Sequence, residues 1–381
     1  MLAYLGFFAI YVLGYGGLQY CCWRKLRHLV RGRRQRVLFM AWFILQLALP
    51  ILTRVAERSD WLLTARLLAW PGYLWMGYSF LLLVFAMLID LPAGLLVLLR
   101  RRRPDAVPPP GTPRIFKLTG PVAAVLALLV TLYGAYAARQ MVIEQHTLTT
   151  GKLPAALPRL RIVQISDLHI GIMTDPARLT DIVAQVRALQ PDLLVATGDV
   201  VDGTMAPHQA GAAAFAALQP RYGKFAVTGN HEFYAGLAQA LTWLNDAGFQ
   251  VLRGESSNYH RVINLAGVDD YATNGELPRA VDERELLATL PRDQFTLLLR
   301  HRPDVPANTV GLFDLQLSGH THRGQIFPFT GVVWLATGHT SGWYEAGNNS
   351  RLYVSRGLGT WGPPLRVFSP PEITVFDLVR G

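Results

Sequence analysis

Five short segments carry residue types able to hold a divalent cation: Asp167-Leu168-His169, Gly198-Asp199, Gly229-Asn230-His231-Glu232, His301, and Gly319-His320-Thr321-His322. Their donors are carboxylate oxygen, imidazole nitrogen and amide oxygen, with no thiolate, a mixture that suits borderline ions such as Mn, Fe or Zn. In the pairs Asp167/His169 and His320/His322 the side chains are two residues apart. Extended backbone sends both to the same side, so each pair can close on one centre. The glycines at 198, 229 and 319 let the chain turn sharply and bring backbone close to a charged group.

Each segment follows a strand-length apolar run, at 162–165, 193–196, 225–227, 295–299 and 315–317. Strand ends of an open α/β sheet converge on one rim, so the donors are expected to meet there. Further runs at 262–265, 332–335, 352–354 and 373–376 also read as strands. Val142, Glu144, His146 and Leu148 alternate as an edge strand that opens the domain without a long linker. Leu179, Ile182, Val183, Val186 and Leu189 recur at helical spacing until Pro191, and a second helix is expected over 235–247, closed by Gly248. The expected fold class is α/β, two packed mixed sheets flanked by helices.

The positive charge lies elsewhere. Residues 1–150 carry 17 Lys and Arg against 5 Asp and Glu, a net of +12, and residues 151–381 carry 19 against 21, a net of −2. A nucleic-acid binder would place its cations on the functional part, which is slightly acidic, so nucleic acid is not the expected partner. Cys21 and Cys22 are the only cysteines. Adjacent cysteines do not bridge without strain, and the pair reads as small membrane-embedded hydrophobes or a palmitoylation site.

Before residue 140 four apolar stretches, near 1–23, 37–52, 72–99 and 118–138, approach the roughly 20 residues a helix needs to cross a bilayer. The first lacks the basic start and cleavage site of a signal peptide. Its following loop holds Arg24, Lys25, Arg27, Arg31, Arg33, Arg34 and Arg36, and the third loop holds Arg100 to Arg103, Arg114 and Lys117. The second holds only Arg54 and Arg58, offset by Glu57 and Asp60. Basic loops stay cytoplasmic, so the expected arrangement is a four-helix transmembrane region over 1–139 in the cytoplasmic membrane, with residues 140–381 extracytoplasmic. An odd number of crossings would reverse that compartment. Asp90 reads as an interfacial residue rather than part of an ion pathway, Gly14, Gly16 and Gly17 as sites of close helix contact or ordinary membrane glycines, and 104–113 as an extended loop.

In this order, Asp167-Leu-His169, Gly198-Asp199, Gly229-Asn-His-Glu232 and Gly319-His-Thr-His322 resemble the calcineurin-like metallophosphoesterase family. The strings IVQISDLHIG, PDLLVATGDVVDG, SGHTHRGQ and LYVSRGLG resemble its bacterial membrane-associated branch. The resemblance covers residues 140–381 and leaves the apolar region outside. It implies a two-sheet metallophosphoesterase sandwich with two divalent ions, one held by Asp167, His169, Asp199 and His322, the other by Asp199, Asn230, His301 and His320. Such ions lie about 3.5–4 Å apart, clamp a phosphoryl group and activate a shared water. The implied reaction is hydrolysis of a phosphomonoester or phosphodiester by a metal-bridging hydroxide. His231 is implied as the general acid, with Asp202 of GDVVD orienting it, although Asp202 fits a turn cap equally well.

The sequence departs from the family pattern in places. His301 sits in RHRPD, where the branch more often has Ser-His-Asn-Pro. Glu232 stands where many relatives carry Asp, which points to a structural role. Arg323 replaces a common glycine, and either contacts substrate phosphate or is a solvated arginine. His208, His260 and His339 match no motif. Trp343, Tyr344 and Trp361 either line an apolar pocket or pack in the core, the default. Two other functions stay open: a lipid-linked phosphoester or pyrophosphate hydrolase, for which the short tether speaks, and a catalytically inactive membrane sensor or scaffold, against which the complete ligand set speaks. Loops rather than ligands set selectivity, so the substrate is not legible.

Overall fold

The computed structural model describes residues 2–101, 112–271 and 281–381. Contacts divide the chain into two compact units, Met1–Ala137 with Gly362–Leu365, and Ala138–Trp361 with Arg366–Gly381.

The first unit contains four helices: α1 (Leu2–Leu26), α2 (Arg33–Arg58), α3 (Leu62–Arg101) and α4 (Thr112–Ala137). Three of them are long and apolar enough to cross a membrane, by length and composition: α2, α3 over Leu62–Pro92, and α4 over Leu118–Ala137. The short stretch 37–52 is thus the middle of a 26-residue helix, and the third begins at Leu62 rather than 72, continuing through Pro71 and Pro92. The expected loop 104–113 lies outside the described residues up to 111, and Thr112 and Pro113 open α4. Polar groups on these helices find partners. Lys25 Nζ lies 2.5 Å from both Asp90 and Thr119, and Gln19 joins Ser79 at 3.1 Å and Trp75 at 2.9 Å. Asp90 is therefore an ion-paired residue. Close approach occurs at Gly72, where an added Cβ would lie 2.9 Å from Leu49, whereas Gly14 and Gly17 face open space.

The second unit runs β1 (Val142–Thr150), β2 (Arg159–Ile165), α5 (Pro176–Ala188), β3 (Leu193–Thr197), α6 (Gln209–Ala216), β4 (Lys224–Val227), α7 (Asn230–Ala235) and α8 (Leu237–Asp246). It continues with β5 (Gln250–Val251), β6 (Glu255–Tyr259), β7 (Ile263–Gly267), α9 (Glu283–Ala288), β8 (Thr296–Leu299) and β9 (Leu315–Ser318). The chain ends with α10 (Phe329–Thr337), β10 (Gly342–Gly347), β11 (Ser350–Val354) and β12 (Glu372–Arg380). The strands form two mixed six-stranded sheets, ordered β1-β12-β2-β3-β4-β5 and β10-β11-β9-β8-β7-β6. In the first, β2, β3, β4 and β5 are parallel and β12 runs antiparallel to β2. β1 is the edge strand the alternation predicts, paired with β12 from Val142 to Thr150.

One buried layer lies between the sheets: Ile162, Leu193, Val195, Phe225 and Val227 from the first meet Ile263, Leu265, Leu297, Leu299, Leu315 and Leu317 from the second. On the outer side of the first sheet, Val163, Leu194 and Ala196 pack against Leu179, Ile182, Val183 and Val186 of α5, Phe215 of α6 and Trp243 of α8. Strands β2 and β3 are buried on both faces, which explains their unbroken apolar runs. Each such side chain contributes roughly 1.5–3 kcal/mol over an exposed one, enough to fix the strand ends where the donors sit. The start of α5 is set by Asp175, whose carboxylate accepts from the Ala177 amide at 3.0 Å, with Pro176 at the first helical position.

One expectation needs correction. The run 332–335 is not a strand but the centre of α10, a helix ended by Gly338 in the left-handed conformation at φ 73°. A short apolar run has no periodicity to separate the two, and the left-handed glycine is the stop signal. The helix expected over 235–247 is α8, Leu237–Asp246, and the short α7 before it ends at Gly236 (φ 105°).

Candidate metal centre

The ends of β2, β3, β4, β8 and β9 bring Asp167, His169, Asp199, His231, His301, His320 and His322 together in overlapping groups, all but His320 buried, with buried Asn230 next to His231 in the chain. Backbone hydrogen bonds hold the loops in register: Asp167 N–H donates to Gly198 O and His169 N–H to Asp199 O, both at 3.0 Å, and Gly319 N–H to His301 O at 2.9 Å. Asp167, His169, Asp199, His320 and His322 all adopt positive φ, between 46° and 70°. Outside glycine that conformation costs about 1–3 kcal/mol per residue and concentrates at functional sites. Gly198 (φ 85°) has no alternative, because a Cβ there would lie 2.6 Å from His301 Nδ1. A Cβ at Gly229 would run into the Asp199 carboxylate.

Three sets of donors converge within 4.8 Å: Asp167 with His169 and His322, His169 with Asp199 and His231, and Asp199 with His301 and His320. His169 and Asp199 each belong to two of them, and Asp199 alone links the pair His301 and His320 to the rest. His169 Nε2 is 2.9 Å from His322 Nε2, His322 Nε2 is 3.5 Å from Asp167, His301 Nε2 is 3.0 Å from Asp199, and His320 Nδ1 is 3.1 Å from His301 Nε2. Asp167 Oδ2 and Asn230 Oδ1 are buried without a hydrogen-bond partner among the described residues. Orphaned buried acceptors of this kind cost about 1–3 kcal/mol each unless an ion completes them. The donor set therefore fits divalent cations, and the orphaned oxygens belong to two residues the resemblance names as ligands.

His301, the residue in the least familiar motif, is well placed. Its Nδ1 lies 2.8 Å from Thr197 O. A carbonyl only accepts, so Nδ1 carries a hydrogen and Nε2 is the nitrogen turned toward Asp199, the one a cation would take in place of its proton. Burial lowers the His301 pKa, but the Asp199 and Asp167 carboxylates outweigh it and push it up to about 10. The surrounding imidazoles His301, His231 and His169 outweigh burial at Asp199 and hold it well below the usual carboxylate range. Burial, joined by the Asp199 carboxylate, raises Asp167 against its histidine neighbours.

His231 opens α7, its backbone N–H donating to Asp199 Oδ1 at 2.8 Å and its Nδ1 lying 2.6 Å from Asp202 Oδ1. Burial pulls this imidazole down, but Asp202 and Asp199 prevail and raise it to about 9. Asp202 is thus a partner of His231, and its other oxygen lies 3.6 Å from His169 Nδ1. Glu232 has the structural role expected of it, accepting from the amides of Asp199 at 2.9 Å, Val201 at 2.9 Å and Gly229 at 2.6 Å. Arg323 follows His322 with φ 52° and is half-buried, and its guanidinium makes no hydrogen bond or ion pair among the described residues. His208, His260 and His339 stand outside the cluster, His208 against Gly171 O at 3.0 Å and His339 against Tyr344.

One residue beside the site was not legible. Arg366 is fully buried and donates to Gly359 O at 3.0 Å, Arg356 O at 2.7 Å and His322 Nδ1 at 3.0 Å. No motif marks it. Trp361 is not a core residue: it is 54% exposed, with its ring 6.0 Å from that of His231.

The signature of calcineurin-like phosphoesterases matches residues 160–324. A metallophosphoesterase of Aquifex aeolicus is 38% identical over 66% of this chain and 97% of its own length. One from Campylobacter jejuni is 34% identical over 60% of this chain and 61% of its own. A transmembrane protein with metallophosphoesterase domain from Danio rerio is 32% identical over 66% and 61% respectively. The chain thus spans about three fifths of the latter two. With a near full-length relative of this kind and the converging donors at its strand ends, the chain belongs to the calcineurin-like metallophosphoesterases and is a phosphoester hydrolase.

Proposed function

We propose that residues 140–381 are a binuclear metal-dependent phosphohydrolase for phosphomonoesters or phosphodiesters, anchored by residues 1–139 in the cytoplasmic membrane with the catalytic part on the outer side. The sharing of Asp199 between donor sets, beside the orphaned Asp167 and Asn230 oxygens, carries this reading. One ion is assigned to Asp167, His169, Asp199 and His322, and the other to Asp199, Asn230, His301 and His320. When bound, a pair of divalent ions polarises the phosphoryl group and activates water near neutral pH. The chain does the rest. His231, kept protonated by Asp202, donates a proton to the leaving oxygen, and Glu232 fixes the turns that aim Asp199 and His231. Arg323 is assigned to the substrate phosphate.

Full-length protein loaded with Mn is expected to hydrolyse bis-p-nitrophenyl phosphate or p-nitrophenyl phosphate, Asp199→Ala to remove that activity and His231→Ala to lower it. Activity indifferent to both changes would sink the assignment. A reporter fused after Gly381 tests the compartment, and a cytoplasmic signal would mean an odd number of crossings. A second reading, hydrolysis of a lipid-linked phosphoester or pyrophosphate, draws support from the exposed aromatic rings of Trp361 and Tyr234, both within 6.0 Å of the His231 ring. Turnover of vesicle-borne and short soluble esters at equal efficiency would remove it.

A further inference from the structure

The helix α10 has no buried residue, although it lies in the catalytic unit and is built of Phe, Val, Trp, Leu, Ala, Gly and Thr. Phe329, Val332, Trp334 and Leu335 are 41%, 52%, 58% and 78% exposed. Phe327 and Phe368 extend the surface, both more than half exposed with their rings 5.8 Å apart, and Phe368 sits at φ 56°. Between Arg323 and Glu345 the sequence contains no Asp, Glu, Lys or Arg. A nine-residue helix is marginal in water on its own, and helices in proteins are held by packing an apolar face. This one presents its apolar residues outward, uncharged and contiguous, as water-facing surfaces do not.

Chain connectivity identifies the partner. The last apolar helix ends at Ala137 and β1 starts at Val142, so five peptide units, about 17 Å of fully extended chain, separate the two. A lipid surface is then within reach of the catalytic unit at all times. The composition fits one as well, with aromatic rings, Leu and Val and no charge to desolvate. We infer that Phe327, α10 and Phe368 insert into the surface of the bilayer that the N-terminal helices cross. This rests on the reading that those helices do cross it.

The contacts of α10 lead to the metal centre. Thr330 Oγ1 donates to Arg323 O at 2.7 Å, directly after His322. Gln325 exchanges hydrogen bonds with the backbone of Trp361 at 3.0 and 2.8 Å, and Trp361 borders His231. Insertion of α10 thus holds the His322 turn at the level of the lipid headgroups, and the phosphoesters best placed to reach the site are those presented by a membrane.

The test uses full-length protein with Cys21→Ser and Cys22→Ser, labelled at Leu335→Cys with an environment-sensitive fluorophore and reconstituted in phosphatidylcholine vesicles. A second preparation is labelled at Thr242→Cys, an exposed position on α8. Lipids brominated in the acyl chain are expected to quench the Leu335 probe at least twofold and to leave the Thr242 probe unchanged. An unquenched Leu335 probe on protein that resists alkaline carbonate washing overturns the inference alone. Protein that washes off overturns the membrane-crossing reading and this inference with it. Disulfide formation between Leu335→Cys chains, with no lipid quenching, assigns the surface to a second copy instead.

Discussion

Nδ1 of His231 lies 2.6 Å from Asp202 Oδ1, and the carboxylate holds the imidazole as a proton donor up to about pH 9. For a general acid the sign is fixed: the active form is the protonated one, so kcat should fall on the alkaline side as His231 loses its proton. Asp202→Asn removes the largest charge favouring the proton, so the alkaline limb should move down by on the order of one pH unit. His231→Ala should cost about 10²–10⁴ in kcat for a substrate with a poor leaving group, and much less for p-nitrophenolate. A pH profile unmoved by Asp202→Asn would assign Asp202 to the turn alone.

Asp199 joins the donor set of His301 and His320 to a set that contains His169, and the proposed assignment gives His169 and His320 one ion each. Metal content per chain, read by elemental analysis after dialysis, should therefore fall from about two ions to under one in Asp199→Asn and to about one in His169→Ala or His320→Ala. Equal losses in all three would argue against a bridging carboxylate.

The centre was legible because its chemistry is written in short motifs at the ends of apolar runs, and strand ends meet whatever the loops do. His301 needed the structure, since only the Thr197 carbonyl shows which nitrogen is free. Arg366 had no local signal: its partners Arg356, Gly359 and His322 are brought together by the fold. The edge strands β6 and β10, ESSNY and GWYEAG, are too polar or glycine-rich to stand out. The surface helix α10 was read as a strand because the sequence signals apolarity, and burial was assumed from it.

Burial lowers the Arg366 guanidinium to about 9, yet it stays charged at neutral pH, satisfying several carbonyls and the far side of His322. Arg366→Met keeps most of the volume and leaves those acceptors unpaired, at about 1–3 kcal/mol for each one that water cannot reach. Thermal melting of metal-free protein should drop by several degrees. Metal affinity should also change, because Arg366 can only donate to Nδ1 and so biases the tautomer of His322. A variant with lowered melting but unchanged Mn affinity would make Arg366 purely structural.

Glu232 offers the complementary case, a buried carboxylate that accepts three amides from two loops, Asp199 and Val201 after β3 and Gly229 after β4. Glu232→Gln has nearly the same shape but points an N–H₂ group at N–H donors, so at least one amide loses its acceptor, at about 1–3 kcal/mol. Whichever way the amide points, the loss falls in the turns that carry Asp199 or His231, the residues proposed to hold metal and move the proton. Activity at saturating Mn should therefore drop less than activity at limiting Mn, with the melting temperature reduced. Glu232→Asp, whose shorter arm still carries a carboxylate, should recover part of both. A Glu232→Gln protein that melts normally and yet cannot retain metal would instead make Glu232 a ligand.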